Sequence, residues 1–421
     1  MAVSITTLEN GMRIVSDPLP HVETASIGVW VDVGARYEKA EENGLSHLLE
    51  HMAFKGTERR SSLAIAEEIE AVGGYMNAFT SREHTTYLAR VLKEDVALAV
   101  DVLGDIIQNS TYAEAELAKE KEVIVQEINQ TIDTPDDLVF DNLQEVAFPD
   151  QPLGRSILGT VDRVKGFSRD DIAHYLDKYY KTGAMVVAAS GNIDHQMLVD
   201  LVTKTFSDIP QAGNPDYQLG LYKGGEMRVE RPLEQLHLTL GLPGIAFNDP
   251  DFYAMQVFST ILGGGMSSRL FQEIRENRGL AYNVYSFSSS HADSGLFGIY
   301  AATNPNMVQD AASVIAEELY RLMDNCEQRE LDRARTQLKA GLLMSLESTS
   351  SRMEQLGRQM LLFGRPLSAQ ELIERVDQVD LEAMQRIGKR LLSGPLSVAT
   401  VGKTGTLSDL SSLQSLFSGR V

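Results

Sequence analysis

Apolar and polar positions alternate with two different periods along the first third of the chain. Ala25, Ile27, Val29, Val31 and Val33 alternate with Ser26, Gly28, Trp30 and Asp32, a period of two that predicts a strand with one buried face. Over residues 62–72 the apolar positions recur at helical spacing, and Gly73 and Gly74 supply a stop. Residues 76–80 and 85–92 read as further strands, and residues 95–108 and 113–128 as helices. Strands separated by helices without strict βαβ repetition predict an α+β fold, a mostly antiparallel sheet with helices packed on one face.

The pattern breaks at Ile209, Pro210, Gln211, Ala212, Gly213, Asn214 and Pro215, with Gly220, Gly224 and Gly225 following. Two prolines and several glycines mark an exposed connection, and it divides the 421 residues almost in half. A chain of this length exceeds one hydrophobic core, so two domains of about 200 residues are expected. The halves also repeat. Residues 183–191 resemble residues 394–402, 211 positions later, each a short apolar strand bounded by glycines and preceded by a helical pattern (168–180 and 380–392). Glu116 and Leu117 line up with Glu330 and Leu331 at an offset of 214. Shared order and a near-constant offset imply a duplicated domain. The expected division is 1–209, a linker over 210–226, and 227–421.

Charge narrows the function classes. Lys and Arg number 38 against 59 Asp and Glu, a net charge of −21, and such a field repels phosphate backbones and anionic lipid. It disfavours nucleic-acid partners and suits a basic peptide. No apolar run approaches the ~20 residues needed to span a bilayer, so no membrane insertion is expected. The single cysteine, Cys326, excludes an internal disulfide or a thiolate metal cluster and fits a reducing compartment. Residues 1–11 have neither a basic nor an apolar signal region and read as a mature start.

Chemistry concentrates in residues 44–54. Ser46 is placed to cap a helix, and Leu45, Leu48, Leu49 and Met52 give that helix an apolar face. His47 and His51 lie four residues apart, so their imidazoles project from one face and can chelate zinc. Glu50, just before the second histidine, is close enough to take a proton from a zinc-bound water. This inverts the commoner His-Glu-x-x-His arrangement. A third ligand is still required. Glu120 and Glu127 are seven residues apart on a predicted helix and share its face. One could ligate zinc while the other orients a ligand histidine, and spacing alone does not choose between them.

The run His47-Leu48-Leu49-Glu50-His51, followed 76 residues later by Glu127, closely resembles the pitrilysin family of zinc metallopeptidases, in its mitochondrial-processing-peptidase branch. The resemblance extends over essentially the whole chain, through residues 52–57, 77–83, 151–155 and 278–282. It implies one Zn2+ per chain held by His47, His51 and Glu127, with Glu50 as general base and Glu120 in a supporting acidic role beside the site.

The second half lacks the motif, since an offset of 214 puts Ala334 and Gly341 where Glu120 and Glu127 stand. The resemblance gives this half a substrate-holding role. Arg275 and Tyr282 match an arginine and a tyrosine that reach the scissile peptide, and such a pair suits a developing oxyanion. Asp137 and Asp141 match carboxylates that accept an arginine upstream of the cut, for which a paired carboxylate fits the guanidinium fork. Phe54 matches an apolar contact for the residue after the cut. Asn77, Ala78 and Phe79 could take an extended substrate onto a sheet edge. Gly263, Gly264 and Gly265 are not followed by Gly-Lys-Ser/Thr, which argues against a phosphate loop. They resemble a shortened form of the branch's glycine-rich substrate loop.

The sequence therefore reads as a zinc endopeptidase acting on unfolded peptides or presequence-like segments. The alternative is a non-catalytic peptide-binding subunit, or a scaffold like the core subunits of respiratory complexes. Because one chain carries both the metal motif and the Arg275/Tyr282 pair, a homodimer is expected, with a heterodimer with a related subunit as the alternative. The bacterial cytoplasm is the expected location, with the mitochondrial matrix as the alternative.

Overall fold

The computed structural model describes residues 3–213 and 216–419. The chain ends and residues 214 and 215, within the expected linker, lie outside the described residues. The chain forms two compact units. The first takes the chain up to Asn129, then Arg155–Gln218 and Leu343–Leu367. The second takes Gln130–Gly154, Leu219–Leu342 and the chain from Ser368 onward.

In the first unit, six strands are β1 (Ser4–Thr7), β2 (Arg13–Pro18), β3 (Thr24–Val31), β4 (Tyr75–Thr80), β5 (Thr85–Leu92) and β6 (Met185–Gly191). Their order is β1-β2-β6-β3-β5-β4, antiparallel throughout except for β2 beside β6. The second unit holds β7 (Gly225–Val229), β8 (Leu236–Pro243), β9 (Ala281–Ser290), β10 (Gly295–Thr303) and β11 (Ser397–Val401). Their order is β7-β11-β8-β10-β9, with β7 and β11 the parallel pair. Without the edge strand β1 the two orders are the same, as a duplicated α+β domain requires.

The repeat seen in the sequence occupies equivalent places. Residues 183–191 and 394–402 contain β6 and β11, which lie second from the parallel edge when β1 is set aside. Each ends on a glycine in the left-handed region, Gly191 at φ 128° and Gly402 at φ 131°. A Cβ on Gly191 would lie 2.2 Å from the Thr24 carbonyl oxygen, and one on Gly402 would lie 2.9 Å from that of Gln235. Both glycines let the strand leave the sheet past its antiparallel neighbour.

Two helices depart from chain order. Helix Pro135–Ala147 groups with the second unit and packs on β11, β8 and β7, while helix Thr349–Phe363 groups with the first and packs on β6, β3 and β2. The helices begin 214 residues apart, the offset that relates Glu116 to Glu330, and they cover equivalent strands. Each half of the chain thus contributes one helix to the unit built mainly from the other half.

This exchange corrects the expectation for β3. Its alternating polar positions are not a solvent face, because Ser26, Gly28 and Trp30 are buried along with Ala25, Ile27, Val29 and Val31. Trp30 packs with Met353, Leu356 and Met360 of the helix from the other half. Ser26 hydrogen-bonds the hydroxyls of Thr349 at 2.9 Å and Ser350 at 3.2 Å.

The opposite face of the first sheet carries the main core, where Ile27, Val29 and Val31 meet Leu103 and Ile106 of helix Val96–Gln108. Leu45, Leu48, Leu49 and Met52 of helix Leu45–Ala53 join it. Each such side chain contributes about 1.5–3 kcal/mol on burial, which anchors that helix to the sheet. Among the described residues no helix is long and apolar enough to cross a membrane.

Candidate metal centre

Helix Leu45–Ala53 begins without the predicted cap. Ser46 lies inside its first turn, and Gly44 at the N-cap makes no side-chain capping bond. The buried carboxylate of Glu38 takes over that task. It accepts the Gly44 N–H at 2.9 Å, the Ser46 N–H at 2.7 Å and the Ser46 hydroxyl at 2.6 Å. The two N–H groups are donors that a helix start leaves unsatisfied, and these hydrogen bonds oppose the burial that raises the Glu38 carboxyl to about 7. Glu38 was not visible as a partner in the sequence, since an irregular segment separates it from the motif.

On this helix His47 and His51 turn their rings together, with centroids 4.7 Å apart. Helix Glu114–Asp133, held to the same core by Leu117, Ile124, Val125 and Ile128, brings Glu127 to them. Glu127 Oε2 lies 3.7 Å from His47 Nε2 and 3.6 Å from His51 Nε2. Those separations are too long for hydrogen bonds. They are close to the ~3.4 Å edge of a tetrahedron whose centre is about 2.1 Å from each ligand, the geometry of a zinc site. One donor atom from each of the three residues falls within 4.8 Å of the others. The donor set therefore fits zinc. Burial and the neighbouring His51 also push the His47 imidazole down to about 4, favouring the neutral form a metal needs.

The two glutamates left open by sequence spacing now separate. Glu127 faces both Nε2 atoms. Glu120 instead places Oε2 3.1 Å from His51 Nδ1 and Oε1 2.8 Å from the ammonium of Lys55. Nδ1–H donation to Glu120 leaves the His51 Nε2 lone pair free to ligate. Lys55 falls within residues 52–57, one of the segments that carry the resemblance. Its position one turn after His51 was the signal that could have singled it out.

Glu50 follows His47 by three residues on the same helix, close enough to His51 and Glu127 to feel both charges. Burial raises its carboxyl above the usual range, repulsion from Glu127 adds to this, and hydrogen bonds from Thr80 and the charge of His51 oppose it. A carboxyl raised above its usual range is better placed to take a proton and give it back. Thr80 closes β4, against which the motif helix packs. Strand β4 is an edge strand, with Asn77 and Phe79 exposed and Ala78 turned inward. Phe54, at the end of the motif helix, packs partly buried against the first core.

The remaining predicted residues belong to the second unit. Asp137 and Asp141 lie one turn apart on helix Pro135–Ala147, Asp137 in its acidic first turn and exposed. Arg275 stacks over Tyr282 at 4.5 Å and over Phe271 at 4.8 Å, and Tyr282 is 72% exposed on the edge strand β9. Gly263 ends helix Phe252–Gly263, where a Cβ would come within 2.3 Å of the Ser286 nitrogen. Gly264 and Gly265 are exposed beside it. That helix follows β8 as the motif helix follows β3, yet it contains no histidine or carboxylate. Its Val257, Phe258 and Ile261 pack with Ala334 in the second core, so apolar packing replaces a metal centre there.

A duplicated α+β chain with one His/His/Glu cluster on an inverted motif defines a metallopeptidase architecture. Residues 13–161 match the family model described as Insulinase (Peptidase family M16), and residues 166–338 match the Peptidase M16 inactive domain. The chain belongs to this family, the pitrilysin or M16 peptidases. An uncharacterized zinc protease of Streptomyces coelicolor is 41% identical over 407 residues, spanning 94% of this chain and 89% of that one. A probable mitochondrial-processing peptidase subunit beta of Arabidopsis thaliana is 37% identical over 421 residues, spanning 96% and 79%. In fold, the chain is similar to one in complex III2 from Candida albicans, with a TM-score of 0.89 at 22% identity over 99% of this chain and 100% of that one.

Proposed function

We propose that this chain is a zinc endopeptidase that hydrolyses unfolded peptides or presequence-like segments, with His47, His51 and Glu127 as the zinc ligands. The observation that carries this reading is the convergence of both Nε2 atoms on Glu127 Oε2, with Glu50 on the same helix. Zinc, when bound, supplies a Lewis acid that acidifies water and polarises a peptide carbonyl. Glu50 takes the proton of the attacking water and delivers it to the departing amine nitrogen. Glu120 holds His51 in its ligating tautomer. The exposed edge of β4 pairs with extended substrate backbone through residues 77–79, and Phe54 offers an apolar contact to the residue after the cut. Arg275 and Tyr282 hold the carbonyl oxygen as negative charge develops. Asp137 and Asp141 select a basic side chain upstream of the cut.

One chain carries both the metal motif and the Arg275/Tyr282 pair, which supports a homodimer over dependence on a related subunit. Light scattering at micromolar concentration that gives a single-chain mass refutes a stable dimer. A bacterial cytoplasmic location is part of this reading, in line with the bacterial zinc proteases among the relatives, and fractionation tests it.

The deciding experiment compares zinc-loaded wild type with Glu50→Gln on an unstructured arginine-containing peptide. Turnover by wild type, reduced at least about 100-fold in the variant, supports the enzyme and its base. Equal rates refute Glu50 as the base. Stoichiometric peptide binding without turnover by either protein favours the non-catalytic subunit.

A further inference from the structure

We propose that Lys55 is a positioning residue of the metal centre, acting through Glu120 on His51. The inference rests on the reading of His47, His51 and Glu127 as zinc ligands. Glu120 is buried, its side chain only 7% exposed, and each of its oxygens has a separate partner. Oε2 meets His51 Nδ1 at 3.1 Å and Oε1 meets Lys55 Nζ at 2.8 Å. A buried carboxylate with one cation removed is costly to keep in place. Without the ammonium, Glu120 has reason to turn toward water and release the ring it orients. His51 is then free to rotate, or to carry its proton on Nε2, the atom that faces Glu127.

Local structure explains why position 55 can do this. The motif helix ends at Ala53, and the Lys55 N–H still donates to the Met52 carbonyl at 3.2 Å. The backbone therefore continues the helical turn far enough to keep residue 55 one turn beyond His51. Gly56, at φ 116°, then bends the chain away. A cation just past a helix C-terminus is also favoured by the helix dipole. Lys55 further balances the charge of Glu120, so the orienting carboxylate adds no net negative charge beside Glu127.

An ordinary surface ion pair at Lys55, which is 29% exposed, would contribute little and would not reach the metal. Zinc affinity separates the two roles, measured with Zn2+ alone by competition against a chelating chromophore. The proteins compared are wild type, Lys55→Met, Lys55→Arg, Glu120→Gln, the Lys55→Met/Glu120→Gln double variant, and His51→Ala. Loss of an orienting partner costs about 10–100-fold in metal affinity, the result expected for Glu120→Gln. Lys55→Met should weaken binding at least about 5-fold, and Lys55→Arg should recover to within about 2-fold of wild type. In the Glu120→Gln background, Lys55→Met should add less than about 2-fold, because both changes break one chain of contacts.

Wild-type affinity in Lys55→Met, or an equal effect of Lys55→Met in both backgrounds, overturns the proposal. If Lys55→Met does not fold by circular dichroism, Lys55→Gln takes its place under the same criteria. The His51→Ala arm isolates the underlying reading. Loss of zinc in His51→Ala with no effect at Lys55 refutes only the role of Lys55, whereas wild-type affinity in His51→Ala refutes the metal centre itself.

Discussion

The carboxylate of Glu38 accepts both the backbone N–H and the hydroxyl of Ser46, at 2.7 and 2.6 Å. A glutamate outside the motif helix thereby fixes the start of the helix that carries His47, Glu50 and His51. Replacing Glu38 with Ala leaves the Gly44 and Ser46 N–H groups buried without an acceptor. The expected loss is about 2–4 kcal/mol of unfolding free energy, the cost of a lost cap plus unsatisfied donors. Glu38→Gln retains one acceptor oxygen and should lose less. Urea unfolding monitored by circular dichroism orders the three proteins.

The Trp30 ring lies against Gly357 of the exchanged helix, where an added Cβ would fall 2.4 Å from a ring carbon. Gly357→Ala should therefore destabilise the fold by about 1–3 kcal/mol through overpacking. Trp30 is the sole tryptophan, so its fluorescence follows this contact during unfolding. An unshifted midpoint would show that the helix does not pack on β3 in solution.

Glu127 is the carboxylate facing both imidazoles, and Glu120 faces only Nδ1 of His51. Glu127→Ala should therefore weaken zinc binding by more than the about 100-fold that loss of an outer partner costs at most. Zinc content after dialysis, read by atomic emission, checks the ranking. A Glu127→Ala protein that keeps zinc better than Glu120→Ala would reverse the two assignments.

Asp137 and Asp141 present carboxylates one turn apart. If they receive a basic side chain, Asp137→Asn with Asp141→Asn should lower the arginine-over-alanine preference in kcat/KM by about 10-fold or more, since a charge-assisted hydrogen bond contributes about 1.5–3 kcal/mol. Parallel peptides differing at one residue provide the ratio. An unchanged ratio assigns the pair to helix stabilisation alone.

Asp32 gives stability a pH dependence. Burial raises its carboxyl to about 6, with Arg13 opposing and Glu83 adding to the rise. The folded state thus holds this proton to higher pH than the unfolded chain. Its contribution to stability falls as pH rises from about 4 to about 6 and stays lower above that. Asp32→Asn removes the penalty. It should be nearly neutral at pH 4 and stabilising by up to about 2–3 kcal/mol at pH 8, as urea midpoints at the two pH values would show.

Much of the site was legible because its first part is local. His47, Glu50 and His51 sit within two turns of one helix, and helical geometry alone puts the histidines on one face. The duplication was legible for a similar reason, since β6 and β11 each keep their own glycines and preceding helix. Separating Glu120 from Glu127 was beyond local geometry. Both occupy one helix face, and which of them meets Nε2 depends on how that helix lies across a different one.

The second face of β3 and the cap at Ser46 were misread for the same physical reason. Periodicity along a strand or helix records which side chains share a face, not what covers that face. Ser26, Gly28 and Trp30 are covered by a helix more than 300 residues later in the chain, and Ser46 meets a buried Glu38 delivered by an irregular segment. The sequence by itself determined the α+β class, the repeat and the His/Glu/His motif, because these follow from short-range geometry. Only the tertiary structure decided the exchanged helices, which histidine atoms Glu120 and Glu127 each meet, and the pairing of Lys55 with Glu120, because each depends on contacts between elements distant along the chain.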